Sequence, residues 1–306
     1  RPTRSTLFPY TTLFRSNPSP MELQIPDLKY QDVGGAQLPY LFYEGGAPQM
    51  LFVHATGFLP WLWHPIIAQF VPGHSVWAPY ICNYRSCNPY EGGLSWDVVA
   101  QDLAAFCRAQ QIDHPVVIGH SMGATVISIA TALYGLTPEK LILIEPIFLP
   151  DEFYRMKPSV KDHPLASRSI KRVNYWKSED EAMAYLKSRS FFSDWNDEIL
   201  SLYKQFGMEK LDAGDMQLTC TPQSEAAMFM GGWSIDPWPL LPKISCPALV
   251  IEGLKSPNVG LVDIRRAVSA LPRGIYESVA DAGHLIPMEK PAEIASIIGE
   301  FAATQP

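Results

Sequence analysis

The chain is poor in cations and cysteines and has no long apolar segment. It has 24 lysines and arginines against 31 aspartates and glutamates, which gives a net charge of -7. Binding to phosphates depends on clustered Lys and Arg, so we do not expect nucleic acid as a partner. No apolar run approaches the roughly 20 residues that span a bilayer, so the sequence predicts no membrane span.

Motifs for metals and nucleotide cofactors are also missing. No His, Asp or Cys cluster has metal-ligand spacing, and no glycine-rich phosphate loop or dinucleotide fingerprint occurs, so we expect neither metal nor cofactor. The five cysteines include no Cys-x-x-Cys pair and cannot all pair with one another. This favours a reducing, cytoplasmic location. The alternative is export, for which Cys82 and Cys87 are close enough in sequence to form a disulfide.

The beginning of the chain differs in composition from the rest. Residues 1–20 are rich in Ser, Thr, Pro and Arg and end just before Met21. They resemble translated sequencing-adapter read-through in an open reading frame from environmental DNA, and a basic transit peptide is the alternative. We therefore expect a non-native or poorly ordered leader, followed by enough residues for one large or two small domains.

The sequence motif with the clearest chemical meaning is Gly-x-Ser-x-Gly at residues 119–123. Three apolar residues, Val116, Val117 and Ile118, lead into it, and a helix pattern with small residues follows. A strand that turns at once into a helix forces its middle residue into a strained conformation and needs glycine on either side. Ser121 would therefore stand above a sheet at a helix N-terminus, as a nucleophile does.

In this motif the chain resembles the α/β-hydrolase family, and the resemblance extends over residues 28–301. Apolar strand patterns alternate with helix patterns on both sides of the motif, which predicts an α/β fold with a mostly parallel central sheet and helices on both faces. We assign residues 21–146 and 243–306 to this core. Residues 147–242 are aromatic and irregular, and we expect them to form an inserted helical cap over the site.

A serine nucleophile needs a base and a carboxylate that orients the base. The resemblance implies that His284 is the base, because it follows the last strand in a Gly-His step before the closing helix. Two other histidines have different expected roles. His120 lies within the elbow and should pack away from the nucleophile, and His54 ends a strand and should be structural.

The acid is harder to assign. Members of the family commonly have an Asp in the loop after the strand at residues 248–251, where this chain has Ser256 and Asn258, neither of which can carry a negative charge. Other members use an acid at the end of the preceding strand. We therefore favour Glu145, followed by Asp263. Asp281 is expected to be a helper or cap of the histidine turn.

The oxyanion hole needs two N–H donors. The resemblance implies that Met122 supplies one and that the loop after the strand at residues 50–53 supplies the other. Family members often have His-Gly-x in that loop, and here the match is Thr56-Gly57-Phe58. Either Gly57 or Phe58 is then the second donor.

Aromatic residues near the site predict a hydrophobic pocket. Trp61 and Trp63 extend from the oxyanion loop, and Trp176 and Trp233 belong to the expected cap. Arg85, in the loop after the third strand of the expected core, is expected to be a structural hydrogen bonder.

These features predict a serine hydrolase that cleaves a carboxylic ester or lactone with a hydrophobic body through an acyl-enzyme. Carbon-carbon hydrolysis, thioester hydrolysis and acyl transfer use the same three residues and remain alternatives. A low-turnover ligand receptor with this fold is the alternative from another class. A homodimer is an open expectation.

Overall fold

A computed structural model describes residues 23–305, so the leader predicted at residues 1–20 lies outside the described part of the chain. The strands in that part are β1 (Lys29–Asp32), β2 (Gln37–Tyr43), β3 (Met50–Val53), β4 (Val76–Pro79), β5 (Val116–His120), β6 (Lys140–Ile144), β7 (Met208–Lys210), β8 (Met216–Leu218), β9 (Ala248–Gly253) and β10 (Gly274–Val279).

The α-helices of the same residues are α1 (His64–Ile67), α2 (Trp96–Ala109), α3 (Met122–Leu133), α4 (Ala166–Ser169), α5 (Glu179–Lys187), α6 (Asp197–Phe206), α7 (Pro222–Gly231), α8 (Ile264–Ala270), α9 (Ile286–Glu289) and α10 (Pro291–Ala303). Short 3₁₀ helices lie at Pro60–Trp63, Pro89–Glu91, Phe153–Arg155, Ser190–Phe192 and Trp238–Lys243.

Eight strands form one sheet in the order β1-β2-β4-β3-β5-β6-β9-β10. Strand β2 pairs antiparallel with β1 and with β4, and all other pairs in this sheet are parallel. Strands β3, β5 and β6 are buried along their whole length, which explains their unbroken apolar runs. The prediction of a mostly parallel α/β sheet is confirmed.

The chain between β6 and β9 contains helices α4 to α7 and a two-stranded antiparallel sheet of β7 and β8. The aromatic, irregular pattern of residues 147–242 predicted helices, but it did not predict this hairpin. Each of its strands has only three residues, which is too short for an alternating pattern to be visible in the sequence. The hairpin is extended by a bridge between Trp176 and Met216.

Helix α7 is attached to the core at three places. The N–H of Leu94 donates to the carbonyl of Ala227 at 2.9 Å, and the indole N–H of Trp96 donates to the carbonyl of Met228 at 2.8 Å. A disulfide joins Cys82, after β4, to Cys220, just before α7.

Cys82 thus pairs with Cys220 and not with Cys87, the partner that its position in the sequence suggested. The partners are 138 residues apart in sequence, so the pairing could not be inferred from spacing. Disulfides persist mainly in oxidising compartments. The bond therefore counts against the prediction of a reducing location, which stays a prediction. None of the helices within residues 23–305 is long and apolar enough to cross a membrane.

Candidate active site

Ser121 lies between β5 and α3 in a backbone conformation that side chains rarely adopt, with φ 55° and ψ -117°. The glycines on either side have no room for a side chain. A Cβ at Gly119 would lie 2.6 Å from the backbone nitrogen of Ala124, and one at Gly123 would lie 2.4 Å from the carbonyl oxygen of Val53. The close packing of strand, turn and helix therefore requires glycine at both positions.

The imidazole of His284 reaches Ser121 from the loop after β10. Its Nε2 lies 2.9 Å from the Ser121 Oγ, within hydrogen-bond distance. The parallel order of the sheet accounts for the approach, because the carboxyl ends of β5 and β10 lie at the same edge.

Glu145 lies on the other side of the imidazole, directly after β6. Its Oε2 is 2.9 Å from the Nδ1 of His284, and the residue is only 3% exposed. The backbone of Glu145 is left-handed, with φ 49°, which turns the side chain toward the base. Ser121, His284 and Glu145 thus form one continuous line of hydrogen bonds.

The loop after β9 holds the Glu145 carboxylate in place. The N–H of Gly253 donates to Oε1 at 2.7 Å, and the hydroxyl of Ser256 donates to Oε2 at 2.7 Å. The side-chain amide of Asn258 lies 2.9 Å from the Nδ1 of His284. When Nδ1 donates its proton to Glu145, only the amide oxygen of Asn258 can also face it as an acceptor. From the sequence, Ser256 and Asn258 were notable only because neither side chain can carry a negative charge.

Asp263 and Asp281 lie elsewhere. The carboxylate of Asp263 accepts the N–H of Arg266 at 2.8 Å and caps the start of α8. Asp281 forms an exposed ion pair with Lys255 at 3.0 Å. Neither carboxylate is hydrogen-bonded to His284, which corrects Asp263 as the alternative acid.

The buried side chains of His120 and His54 hydrogen-bond backbone groups near the site. The Nε2 of the fully buried His120 hydrogen-bonds the backbone oxygen of His284 at 2.8 Å, and burial lowers the pKa of this imidazole to about 3. His54 bonds the carbonyl of Ala55 through Nδ1 at 2.8 Å and accepts the N–H of Ile81 at 3.0 Å. Burial lowers the pKa of His54 to about 4, so both rings are neutral at pH 7.

The loop after β3 lies beside the elbow, with Gly57 at φ 75°. The N–H of Phe58 donates to the carbonyl of Ala55 at 3.1 Å, so this group is already used within the turn. The Phe58 N–H is thus less available than that of Gly57, and the choice between these two groups as second oxyanion donor stays a prediction. Within residues 23–305, no acceptor takes the N–H of Met122, Gly57 or Thr56. These three groups are the ones available to an incoming oxyanion.

A cavity of about 970 Å³ opens above Ser121 and His284 and extends under the inserted region. Gly57, Phe58, Trp176 and Trp233 are among the residues that line it.

Trp61 and Trp63 lie outside this lining, which corrects their assignment as pocket residues. Trp63 is 2% exposed and packs on Phe52 with ring centroids 5.3 Å apart. Trp61 stacks on Phe206 at 4.8 Å. Both indoles serve the core and its contact with α6 instead.

The cavity lining is mainly apolar but also includes charged side chains that were not predicted. Arg168, Arg172 and Arg189 face it, together with Glu225 and Glu289. No sequence signal identified these residues, because which side chains of α4, α7, α9 and their neighbouring segments face the cavity depends on tertiary packing. Arg85, by contrast, pairs with Asp102 through Nε at 2.5 Å and Nη2 at 2.7 Å, away from this cavity.

A family model described as the alpha/beta hydrolase family matches residues 50–297. The chain belongs to the alpha/beta hydrolase family. As a member of this family it is a hydrolase. Among the described residues, no group of His, Cys, Asp and Glu could hold a metal ion.

Two curated relatives and one solved structure illustrate the family likeness of this hydrolase. Esterase YbfF of Escherichia coli is 25% identical over 214 residues, which cover 70% of this chain and 77% of that protein. N-formylmaleamate deformylase of Pseudomonas putida is 26% identical over 206 residues, or 67% of this chain and 69% of that protein. The structure of E-2-(acetamidomethylene)succinate hydrolase has a TM-score of 0.77 at 19% identity and covers 91% of this chain and 99% of that one.

Proposed function

We propose that this hydrolase cleaves a carboxylic ester or lactone with a hydrophobic body, through an acyl-enzyme on Ser121. The observation that carries the proposal is the line of hydrogen bonds from Ser121 through His284 to Glu145, with both links at 2.9 Å. An esterase among the relatives supports the ester as the substrate class. The aromatic side chains of the cavity support a hydrophobic substrate.

In this mechanism the Nε2 of His284 takes the proton of Ser121 as the Oγ attacks the carbonyl carbon. The imidazolium that forms donates through Nδ1 to Glu145, whose charge stabilises it. Negative charge develops on the carbonyl oxygen and is bound by the N–H of Met122 and an N–H of the β3 loop. His284 then returns the proton to the leaving alcohol, and a water molecule repeats the sequence to release the acid.

The test is hydrolysis of a panel of p-nitrophenyl esters and an aromatic lactone, combined with labelling by a fluorophosphonate probe. We expect the wild type to hydrolyse at least one ester and to gain one probe adduct. Ser121→Ala should lose both, with kcat down by about 10³-fold or more. Ser128→Ala is the matched control, because Ser128 lies on the same helix and bonds only the carbonyl of Ala124.

The possible results separate the alternatives. A wild type that is labelled but leaves every ester intact would favour carbon-carbon hydrolysis, thioester hydrolysis or acyl transfer on the same residues. A wild type that is neither labelled nor active would favour the low-turnover receptor. Ser128→Ala behaving like Ser121→Ala would mean that the loss reflects damage to α3 and not removal of a nucleophile.

A further inference from the structure

A buried carboxylate lies against the oxyanion loop. Glu225 of α7 is only 8% exposed, and a Cβ placed on Gly57 would lie 2.3 Å from its Oε1. A carbon-carbon bond adds about 1.5 Å, so this oxygen is within about 4 Å of the Gly57 Cα. The glycine at this position therefore allows both the left-handed backbone and the carboxylate above it.

The position of Glu225 is fixed by the attachments of α7. The Cys82–Cys220 disulfide precedes the helix, and Leu94 and Trp96 of the core bond the carbonyls of Ala227 and Met228. The helix cannot move away from the oxyanion loop without breaking these bonds, so its carboxylate stays over the loop.

A negative charge at this place opposes the reaction. Charge develops on the carbonyl oxygen in the transition state, and a site closed to water screens a nearby carboxylate poorly. Burial raises the pKa of the Glu225 carboxyl, with Arg172 opposing the rise.

Arg172 supplies the compensating charge. Its Nη1 lies 2.8 Å from both carboxylate oxygens of Glu225. The guanidinium also lines the same cavity as Ser121.

We infer that Arg172 is a positioning residue for the oxyanion, because it cancels the charge of Glu225 so that this carboxylate can lie against Gly57 without opposing the transition state. The inference rests on the proposed serine hydrolase function. A salt bridge with a purely structural role would make the same contact. The two interpretations predict different values of kcat when both charges are removed.

The experiment compares Arg172→Met, Glu225→Gln and the double variant on the best ester of the panel, with melting temperatures recorded for each. At alkaline pH, where the Glu225 carboxyl is ionised despite its burial, Arg172→Met leaves the carboxylate uncompensated, so we expect kcat to fall about 10- to 100-fold while KM changes less than about threefold. The double variant should recover at least about tenfold in kcat, because no charge then remains to be cancelled. Arg172→Lys keeps the charge and should stay within about fivefold of the wild type.

Three outcomes would overturn the inference: a double variant no faster than Arg172→Met, an Arg172→Met variant with normal kcat, or one in which only KM changes. If Arg172→Met does not fold, the comparison moves to the Glu225→Gln background, where adding Arg172→Met must change kcat by less than about threefold. Failure of the proposed function is distinguishable, since the wild type would then show neither turnover nor fluorophosphonate labelling.

Discussion

Replacing Glu145 by Gln should reverse the proton arrangement of His284. The Oε1 of Glu145 accepts the N–H of Gly253 at 2.7 Å, so the amide oxygen of Gln must take this place. The amide NH₂ then occupies the place of Oε2, 2.9 Å from Nδ1. It donates to Nδ1, and the ring proton moves to Nε2. In that tautomer His284 cannot accept the proton of Ser121.

The magnitude follows from two terms. Turning the amide over restores the productive tautomer but leaves two donors facing each other at Gly253, which costs about 1–3 kcal/mol. Loss of the carboxylate charge beside the imidazolium removes on the order of 3 kcal/mol more. Together these give about 4–6 kcal/mol, or a loss of about 10³- to 10⁴-fold in kcat.

The assay is steady-state hydrolysis of the best ester at saturating concentration, with burst-phase kinetics to isolate acylation. Asp263→Asn is the matched control, because Asn also caps a helix well and Asp263 lies away from His284. A Glu145→Gln variant that kept more than about a tenth of the wild-type kcat would refute the reasoning, provided that Ser121→Ala is inactive.

A second variant tests the same geometry by gain of activity. Asn258 already places its amide 2.9 Å from Nδ1, so Asn258→Asp would put a carboxylate against the same proton. Added to Glu145→Gln, it should recover about tenfold or more in kcat by restoring the charge. No recovery, in a variant with an unchanged melting temperature, would mean that position 258 cannot orient the base.

Three further predictions concern the cavity, the loop and the core. Trp233→Leu should change the order of preference among the esters, whereas Trp63→Ala should lower the free energy of unfolding by about 3–5 kcal/mol and leave that order unchanged; equal stability losses would contradict this. Gly57→Ala should abolish turnover without unfolding the protein, because the methyl group meets the Glu225 carboxylate and the backbone is left-handed; near-normal kcat would count against the assigned loop geometry. The pKa of His54 is about 4 in the fold and about 6.5 in the unfolded chain, so the unfolded state binds protons more readily and stability falls as the pH drops through this window. Urea unfolding at pH 7.5 and 5.0 should show a loss about 2 kcal/mol smaller in His54→Gln than in the wild type, and equal losses would disprove the assignment.

The elements of the core could be predicted because their signals are local. Strands β3, β5 and β6 are covered on both faces, so each is an unbroken apolar run bounded by turn residues. The elbow was visible because only glycine fits beside Ser121, which leaves a five-residue pattern. The inserted region has no such signal, because the strands of its β7–β8 hairpin have three residues each and its helix α4 has only four.

By itself the sequence determined the α/β order of the core, the nucleophile position at Ser121 and the small set of acids that could serve His284. Only the tertiary structure separates them, because Glu145 and Asp263 differ in where the chain carries them and not in their chemistry. The same holds for the disulfide and for the pair of Arg172 and Glu225. Contacts between residues far apart in the chain leave no periodic trace in sequence, since they arise only when the sheet and its insertion pack together.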